Sequence, residues 1–351
     1  MLFALKTEMK KLSFKFSLPV FALGALIVTG TSFGVWVFNE GSSATATVDN
    51  IIVKPFYFGG DGYYDDEGNK TGSDLVFTNV IDKTNGTATI TSATLAYNYK
   101  SDNGKLELPS VYYENGVAYR ITGFGDGSSK NLGWTPDTSL TTLIIPDSYT
   151  SINDMALSTL APSITKVVLG NNIKTIGNKA FYCCNTLTDI NFPASLESIG
   201  DSAFFQCKLS DVNLSTATSL KVIGACSFGE GNVQTVEFPN SLEEIQAYAF
   251  VKNKITLADL SNTKLAKLGT GTCEYGVKTG NSFADNTGLT CYLPKTLSTC
   301  GSQIFNNDNG ANIYVQFASG DAPSGFDSKW NSTDGGGTNI TVHYSWDGVT
   351  K

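Results

Sequence analysis

The sequence predicts an α/β solenoid in which each repeat of about 23 residues contributes one short parallel strand. Two observations carry the prediction. A six-residue segment that begins Ile-Gly and ends Ala-Phe returns along the chain, and a strand-like element lies between its copies. A repeat of this length cannot bury its own apolar face, so neighbouring repeats must stack and share one continuous core.

The Ile-Gly segment fixes the period of the repeat. Its copies begin at Ile152, Ile176, Ile199, Ile223 and Ile245, and the first of them is degraded. These isoleucines advance by 24, 23, 24 and 22 residues. Leu268 continues the series after 23 residues and Cys300 after 32, so the sequence predicts an insertion around 270–279.

The strand-like element has apolar residues at its first, fourth and sixth positions. It occupies 140–146, 164–170, 187–193, 209–215, 233–239 and 255–261, with shorter versions at 289–294 and 313–317. A proline or a small residue follows the sixth position in most copies and favours the end of the strand. The L-x-x-L-x-L pattern at a period of 20 to 29 residues is the signature of a leucine-rich repeat solenoid.

The repeat also resembles a known family. The stretch from Leu187 to Cys207, which contains Phe-Pro-Ala-Ser-Leu-Glu-Ser-Ile-Gly and then Ala-Phe, is similar to the BspA-type leucine-rich repeat of bacterial and protist surface proteins. The resemblance extends over roughly Tyr112 to Phe317 and is strongest from Ile164 to Phe250. It implies a solenoid displayed on a cell surface, with adhesion in some members, and it specifies no ligand.

Residues 1–46 are interpreted as a signal peptide or an N-terminal membrane anchor. Lysines at positions 6, 10, 11 and 15 precede the stretch Phe16 to Asn39, whose 24 residues carry no charge. That length favours an uncleaved anchor, whereas Ala44-Thr45-Ala46 favours cleavage by a signal peptidase. In both cases the positive-inside rule places the rest of the chain outside the cytoplasm, secreted or anchored at the cell surface.

Both flanks of the solenoid are predicted to be β-rich caps. Residues 47–111 form the N-terminal β cap, in which Asn85-Gly86 and Asn103-Gly104 are hairpin-turn signals. The solenoid itself is assigned to 112–318, and residues 319–351 form the C-terminal cap that shields the last repeat.

Composition and residue counts exclude several functions. The net charge of −8 argues against nucleic acid as a partner, because phosphates need a basic surface. His343 is the chain's single histidine and has no nucleophile or acid that the sequence can place beside it, so we expect no enzyme. We also expect no cofactor and no metal, and we interpret the acidic stretch Asp61 to Asn69 as a solvated turn rather than a calcium loop.

The seven cysteines are interpreted mainly as buried structural thiols. Cys184 and Cys207 stand three residues after the repeat's Phe, where later repeats carry Asn253 and Asn286. Leucine-rich repeats commonly hold such a residue inward against neighbouring backbone. Cys226 and two further cysteines also fall on repeat positions expected to be buried. Cys183 and Cys273 remain candidates for a disulfide or for reaction.

The third and fifth positions of each strand are predicted to point away from the core. These rows run from an apolar end through an acidic and amide centre to an aromatic end. The candidate binding residues on them are Asp189, Asn191, Asp211, Asn213, Glu237, Asp259, Tyr292 and Tyr314. Solenoids use such faces to bind partners, although a merely solvated face is the plain alternative.

Two functions fit these observations. The first is a non-catalytic extracellular surface protein whose solenoid binds a protein or a glycan. The second is a structural component of the cell envelope that has no external ligand. The export segment and the repeat array are common to both, so the sequence does not decide between them.

Overall fold

The computed structural model describes residues 26–29, 32–35, 46–48, 51–53, 62–64, 75–95, 104–126, 140–158, 163–272, 280–332 and 340–350, and the side chains of 79–91 and of the stretches from 104 onward. These residues form strands and turns and contain no helix. The leucine-rich repeat fold with parallel strands is therefore confirmed, whereas the α part of the α/β prediction is not.

The described strands, in chain order, are β1 (Leu26–Thr29), β2 (Ser32–Val35), β3 (Ala46–Val48), β4 (Ile51–Val53), β5 (Gly62–Tyr64), β6 (Leu75–Asp82), β7 (Thr87–Leu95), β8 (Lys105–Glu107), β9 (Val111–Glu114), β10 (Val117–Phe124), β11 (Thr142–Ile145), β12 (Ser151–Ile152), β13 (Lys166–Leu169), β14 (Thr175–Ile176), β15 (Asp189–Ile190), β16 (Ser198–Ile199), β17 (Asp211–Asn213), β18 (Val222–Ile223), β19 (Thr235–Glu237), β20 (Glu244–Gln246), β21 (Leu257–Asp259), β22 (Lys267–Thr270), β23 (Thr290–Tyr292), β24 (Thr299–Cys300), β25 (Asn312–Tyr314), β26 (Gly325–Phe326) and β27 (Thr341–His343).

The chain divides into two compact units. The first comprises Met1–Ser73, Ile81–Ala88 and Pro109–Ile121. In it, β1 pairs with β2, β3 with β4, and β9 with both β5 and β10, always antiparallel. Asn115 and Gly116 join β9 to β10 with φ of 52° and 76°, the positive values that a two-residue hairpin turn requires.

The predicted signal peptide or anchor lies mostly outside the described residues. Its described residues are β1, β2 and Ala46, the first residue of β3. In the part of the chain that the structure describes, no helix is long and apolar enough to cross a membrane.

The second unit comprises Asp74–Val80, Thr89–Leu108 and Thr122–Lys351 and contains the repeats. Each coil has a first strand, which is the predicted strand, then a second strand at the Ile-Gly segment, then a turn segment that carries the Phe. First strands pair in parallel in three groups, β8-β11-β13-β15, β17-β19 and β21-β23-β25-β27. Second strands pair in parallel from β10 through every even-numbered strand to β26. The prediction of one strand per repeat therefore missed the second, which is usually two residues long and shows no alternation.

The turn segments explain why no helix forms there. In the six turn segments from Phe181 to Phe305, the non-glycine residues two before and two after the Phe adopt left-handed backbone, as Lys179 (φ 54°) and Cys183 (φ 57°) do. A left-handed residue breaks the right-handed helix that L-amino acids favour. Backbone hydrogen bonds instead join successive coils, for example from Phe181 N–H to Ala203 C=O at 2.8 Å.

A ladder of stacked phenylalanine rings forms the core beneath the turn segments. The ring centroids of Phe181, Phe204, Phe228 and Phe250 lie 5.1, 5.1 and 5.2 Å apart, and the rings are nearly parallel. Phe283 and Phe305 continue the ladder at 5.4 and 6.2 Å. All six are at most 1% exposed. The ladder is the physical reason that Ala-Phe recurs in the repeat.

The glycine of the Ile-Gly segment allows adjacent coils to approach each other. A Cβ on Gly200 would lie 2.6 Å from Asn178 N and 2.7 Å from Asn178 Oδ1 in the preceding coil. A Cβ added to Gly177 or to Gly224 would likewise lie 2.6 Å from a backbone atom of the preceding coil. Real Cβ atoms do not come this close to backbone, so a larger residue must separate the coils.

We expect Gly200→Ala to lower the free energy of unfolding by about 1–3 kcal/mol, because the added methyl group overpacks the contact between coils. Urea denaturation measures the change. Lys208→Ala on an exposed site of the same coil should stay within about 0.5 kcal/mol of the parent. Equal stability of the parent and Gly200→Ala would mean that this close approach does not exist.

The flanking caps remain predictions. The hairpin signal Asn85-Gly86 is confirmed, because a turn at Lys83–Gly86 joins β6 to β7 and Gly86 has φ of 66°. Asn103 lies outside the described residues. At the other end β27 pairs in parallel with β25, which makes it one more first strand.

Candidate binding face

The register of the first strands aligns the predicted rows. Asp211 pairs with Thr235 and Asn213 with Glu237, while Asp259 pairs with Tyr292, which pairs with Tyr314. Asp189 pairs with Lys166. The middle residue between the two rows is buried in most first strands, as Val212 and Ala258 are, so the row residues occupy the opposite, outward side of the sheet.

The centre of the face is acidic and exposed. Asp211 Oδ1 accepts a hydrogen bond from Thr235 Oγ1 at 2.5 Å, and Glu237 Oε2 accepts one from Ser215 Oγ at 3.1 Å. The same hydroxyl lies 2.6 Å from Asn213 Oδ1, so its single proton is shared between the two acceptors. Hydroxyl groups thus orient these side chains and leave their charge on the surface.

Two of the predicted site residues are occupied by the scaffold. Asp189 forms an ion pair with Lys166 Nζ at 2.6 Å. Asn191 replaces a missing rung of the strand ladder: its Oδ1 accepts from Leu169 N–H at 2.7 Å and its Nδ2 donates to Leu169 C=O at 2.8 Å. Asn191 therefore completes the pairing of β13, and the amide oxygen and nitrogen each form one hydrogen bond with the backbone of Leu169.

Like charges stand where the first-strand sheet divides. One division falls between β15 and β17, which carry Asp189 and Asp211 at the same position of successive coils. The other falls between β19 and β21, which carry Glu237 and Asp259. Like charges opposite each other destabilise a strand pair. The coils stay joined at these places through their second strands, such as β16 with β18.

Leu257 and Asp259 lie at the boundary between the acidic and aromatic parts of the face. Leu257 is one of the large apolar residues that the structure leaves exposed, at 50%. Asp259 Oδ1 accepts from Ser261 Oγ at 2.6 Å and from Ser261 N–H at 3.1 Å. The Asp-Ser turn repeats the Asn213-Ser215 turn two coils earlier, so the same local chemistry ends both strands.

The aromatic end is closed by stacking. The rings of Tyr292 and Tyr314 lie 4.6 Å apart, and Tyr314 stacks on His343 at 4.2 Å with an interplanar angle of 9°. Trp346 lies 4.9 Å from Tyr292, which is only 7% exposed. Both faces of the Tyr314 ring are covered, so this end offers ring edges rather than open faces to a ligand. Trp346 could not be predicted as part of this end because it lies after the last repeat.

The predicted inward, backbone-binding column three residues after the Phe is confirmed at its cysteines and asparagines, and the coil of Phe228 has Gly231 at this position. Cys184 and Cys207 donate their thiols to Leu157 C=O and Phe181 C=O, each at 3.2 Å. Asn253 donates to Phe228 C=O at 2.8 Å, and Asn286 donates to Phe250 C=O at 3.0 Å. Burial raises the pKa of the Cys207 thiol well above its usual range, which keeps it a neutral donor.

One cysteine assignment is wrong. Cys226 is buried at 3% exposure, as expected, but it is disulfide-bonded rather than a free thiol. The equivalent positions of the neighbouring coils hold Ser202 and Tyr248, so the repeat pattern does not indicate a disulfide there. Five other cysteines are free thiols, and the remaining one, Cys273, lies outside the described residues.

The described residues contain no group of three or more His, Cys, Asp or Glu arranged to hold a metal ion. The side chains of the acidic stretch Asp61 to Asn69 lie outside them. His343 Nε2 is 3.0 Å from Asn312 Oδ1, so hydrogen bonding and the Tyr314 stack fix the imidazole at the edge of the sheet.

Stacked coils with two short parallel strands and an inward Cys/Asn column define a leucine-rich repeat solenoid. The family model described as BspA type leucine rich repeat region matches residues 136–220 and 212–316 with six copies, which together are more than half of the chain. The chain therefore belongs to the BspA-type leucine-rich repeat family. No match is found among curated proteins.

Several solved structures are similar. A leucine rich cell surface protein from Faecalibacterium prausnitzii aligns at 19% identity and TM-score 0.48 over 69% of this chain and 75% of that one. A leucine-rich repeat protein from Bacteroides ovatus aligns at 16% identity and TM-score 0.43 over 77% and 66%. The leucine-rich repeat protein of T. pallidum aligns at 21% identity and TM-score 0.36 over 57% and 82%.

Proposed function

We propose that this chain is a non-catalytic extracellular surface protein whose first-strand face binds a protein or glycan partner. The observation that carries the proposal is the exposed acidic centre, in which Asp211, Asn213 and Glu237 stand on paired strands with buried residues between them. Their positions are fixed by the sheet and their rotamers by hydroxyl groups. A rigid array of this kind binds without a large ordering cost.

The export segment supports the location. The uncharged stretch Phe16 to Asn39 follows a lysine-rich start, which is typical of a signal peptide or an anchor. The solenoid is then displayed outside the cell, either tethered to the membrane or released. Outside the cell, cationic or polar groups of a protein or glycan are the electrostatic complement of an acidic face.

A structural role in the envelope is the second candidate, and a specific observation favours it. Asp189 and Asn191, two of the predicted site residues, bind Lys166 and Leu169 of the preceding coil. Part of the face therefore serves the cohesion of the solenoid, and a face made only for cohesion needs no ligand.

A binding screen separates the two candidates. The full chain is tested against arrayed extracellular matrix proteins and glycans, and its strongest interaction is titrated with charge-reversed variants. We expect D211K/E237K to weaken that interaction at least about tenfold, because attraction at the acidic centre becomes repulsion. It should also reduce the salt dependence of binding.

The matched control is E197K/E243K, which makes the same change of net charge at exposed sites beside the second strands. It should leave the affinity within about twofold of the parent, since distant surface charges are screened by salt. Equal losses in both variants would place the site elsewhere. No interaction on any array, together with capture only by the cell's own envelope, would favour the structural role.

A further inference from the structure

The last member of the inward column is an aspartate. Asp308 stands three residues after Phe305, the position that Cys184, Cys207, Asn253 and Asn286 hold in earlier coils. It is fully buried at 0% exposure. Its Oδ1 accepts a hydrogen bond from Asn286 N–H at 2.5 Å, whereas Oδ2 has no hydrogen-bond partner among the residues that the structure describes.

Four of the earlier coils place a side chain that can donate a proton at this position, whereas the coil of Phe228 has Gly231 there. At Asn253 and Asn286 the amide oxygen accepts from a backbone N–H and the amide nitrogen donates to the carbonyl of the preceding Phe. At Cys184 and Cys207 the thiol donates. An ionised carboxylate has no proton to donate, and a neutral carboxylic acid has one.

The surroundings of Asp308 also disfavour an ionised carboxylate there. Asp285 lies in the turn segment of the preceding coil and carries the same sign of charge. Asn307 Nδ2 donates to Asp285 Oδ1 at 3.0 Å. The buried Cys291 thiol on β23 lies close enough to interact with Asp308. Burial raises the pKa of Asp308 to about 8; the Asn286 N–H opposes this shift and Asp285 adds to it.

We propose that Asp308 is held as a neutral carboxylic acid in the folded chain and serves as a proton-dependent latch between the coils of Phe283 and Phe305. These coils are held firmly in acid and loosen as the pH rises. The latch is independent of the proposed binding function. It is a pH-sensitive element built into one end of the repeat array.

The sign of the effect follows from the two protonation equilibria. In an opened segment the carboxyl group ionises with an ordinary pKa near 3.9, whereas in the closed segment it ionises at about 8. Between about pH 4 and about pH 8 the open form releases the proton, so its population relative to the closed form rises about tenfold per pH unit. Above about pH 8 both forms are ionised, and the dependence stops.

Hydrogen–deuterium exchange of the full chain, corrected for the intrinsic pH dependence of exchange, tests the latch. We expect the protection of peptides within 283–315 to fall by up to about tenfold per pH unit between about pH 5 and about pH 8, while peptides within 176–204 stay constant. Asp308→Asn should remove the dependence, and Asp211→Asn on the exposed face should retain it. Protection of 283–315 that does not change with pH, or that changes equally in Asp308→Asn, would overturn the proposal.

A second measurement needs no variant. The infrared spectrum of the folded chain near neutral pH should contain the carbonyl band of a protonated carboxyl group, because exposed carboxyl groups are ionised there. We expect that band to disappear above about pH 8 while the fold persists. Its absence near neutral pH would contradict the latch even if Asp308→Asn fails to fold.

Discussion

Phe204→Ala is expected to lower the free energy of unfolding by about 3–5 kcal/mol. The ring is 1% exposed and stacks at 5.1 Å on both Phe181 and Phe228. Phe192 packs edge-on against it at 5.8 Å. Truncation leaves a cavity in the middle of the ladder, and the coils on both sides lose their contact there.

Urea denaturation followed by circular dichroism measures this loss. Tyr344→Ala is the matched control, because it also truncates an aromatic ring but at a site that is 38% exposed. Its expected effect is below about 1 kcal/mol. A Phe204→Ala variant as stable as the parent would show that the ring is not in the core and that the phase of the repeat is wrong.

The second large effect is expected at Asn253, where Asn253→Ala should cost about 2–6 kcal/mol. The amide oxygen accepts from Val233 N–H at 2.9 Å and the amide nitrogen donates to Phe228 C=O at 2.8 Å. Both backbone groups belong to buried residues. Alanine leaves each of them without its partner, and each buried unsatisfied group costs about 1–3 kcal/mol.

Asn253→Cys distinguishes a lost hydrogen bond from a lost volume. Cysteine occupies the equivalent position at Cys184 and Cys207, where the thiol donates to a carbonyl of the preceding coil. The variant should recover roughly half of the stability that alanine loses, because the donor is restored and the acceptor for Val233 N–H is not. Thermal denaturation of the three chains measures this order. Equal stability of Asn253→Ala and the parent would contradict the role of the column.

The repeat itself could be predicted because stacking imposes its period on the sequence. The first strands from β11 to β23 begin and end within the predicted segments, and β25 begins one residue before its segment. The Ile series holds through Leu268 and Cys300, which pair with each other across β22 and β24. The inward position of Cys184 and Asn253 followed from the family resemblance. Such features repeat at fixed spacing, so one copy supports the next.

Features that break the period could not be predicted in this way. The second strands consist of short segments without alternation, and left-handed turns at residues such as Lys179 exclude helix although the residue types do not. The disulfide at Cys226 occurs in one coil and does not recur along the repeats, and the stacking on Tyr292 involves Trp346, which follows the last first strand. Both lie beyond what a 23-residue pattern encodes.

The candidate face was predicted in position and only partly in chemistry. The rows of third and fifth residues align as expected, because register follows from the buried middle residue. Which row residues bind the scaffold depends on pairs one coil apart, such as Lys166 with Asp189. The structure therefore concentrates the available charge at Asp211 and Glu237, and it buries Tyr292.

Carboxyl-group footprinting tests the binding face most directly. The full chain is labelled at its exposed carboxylates with and without the strongest ligand from the arrays, and the labelled sites are read by mass spectrometry. We expect labelling of Asp211 and Glu237 to fall on binding, while labelling of Glu197 and Glu243, beside the second strands, stays unchanged. Protection of Glu197 and Glu243 with Asp211 and Glu237 still fully labelled would contradict it.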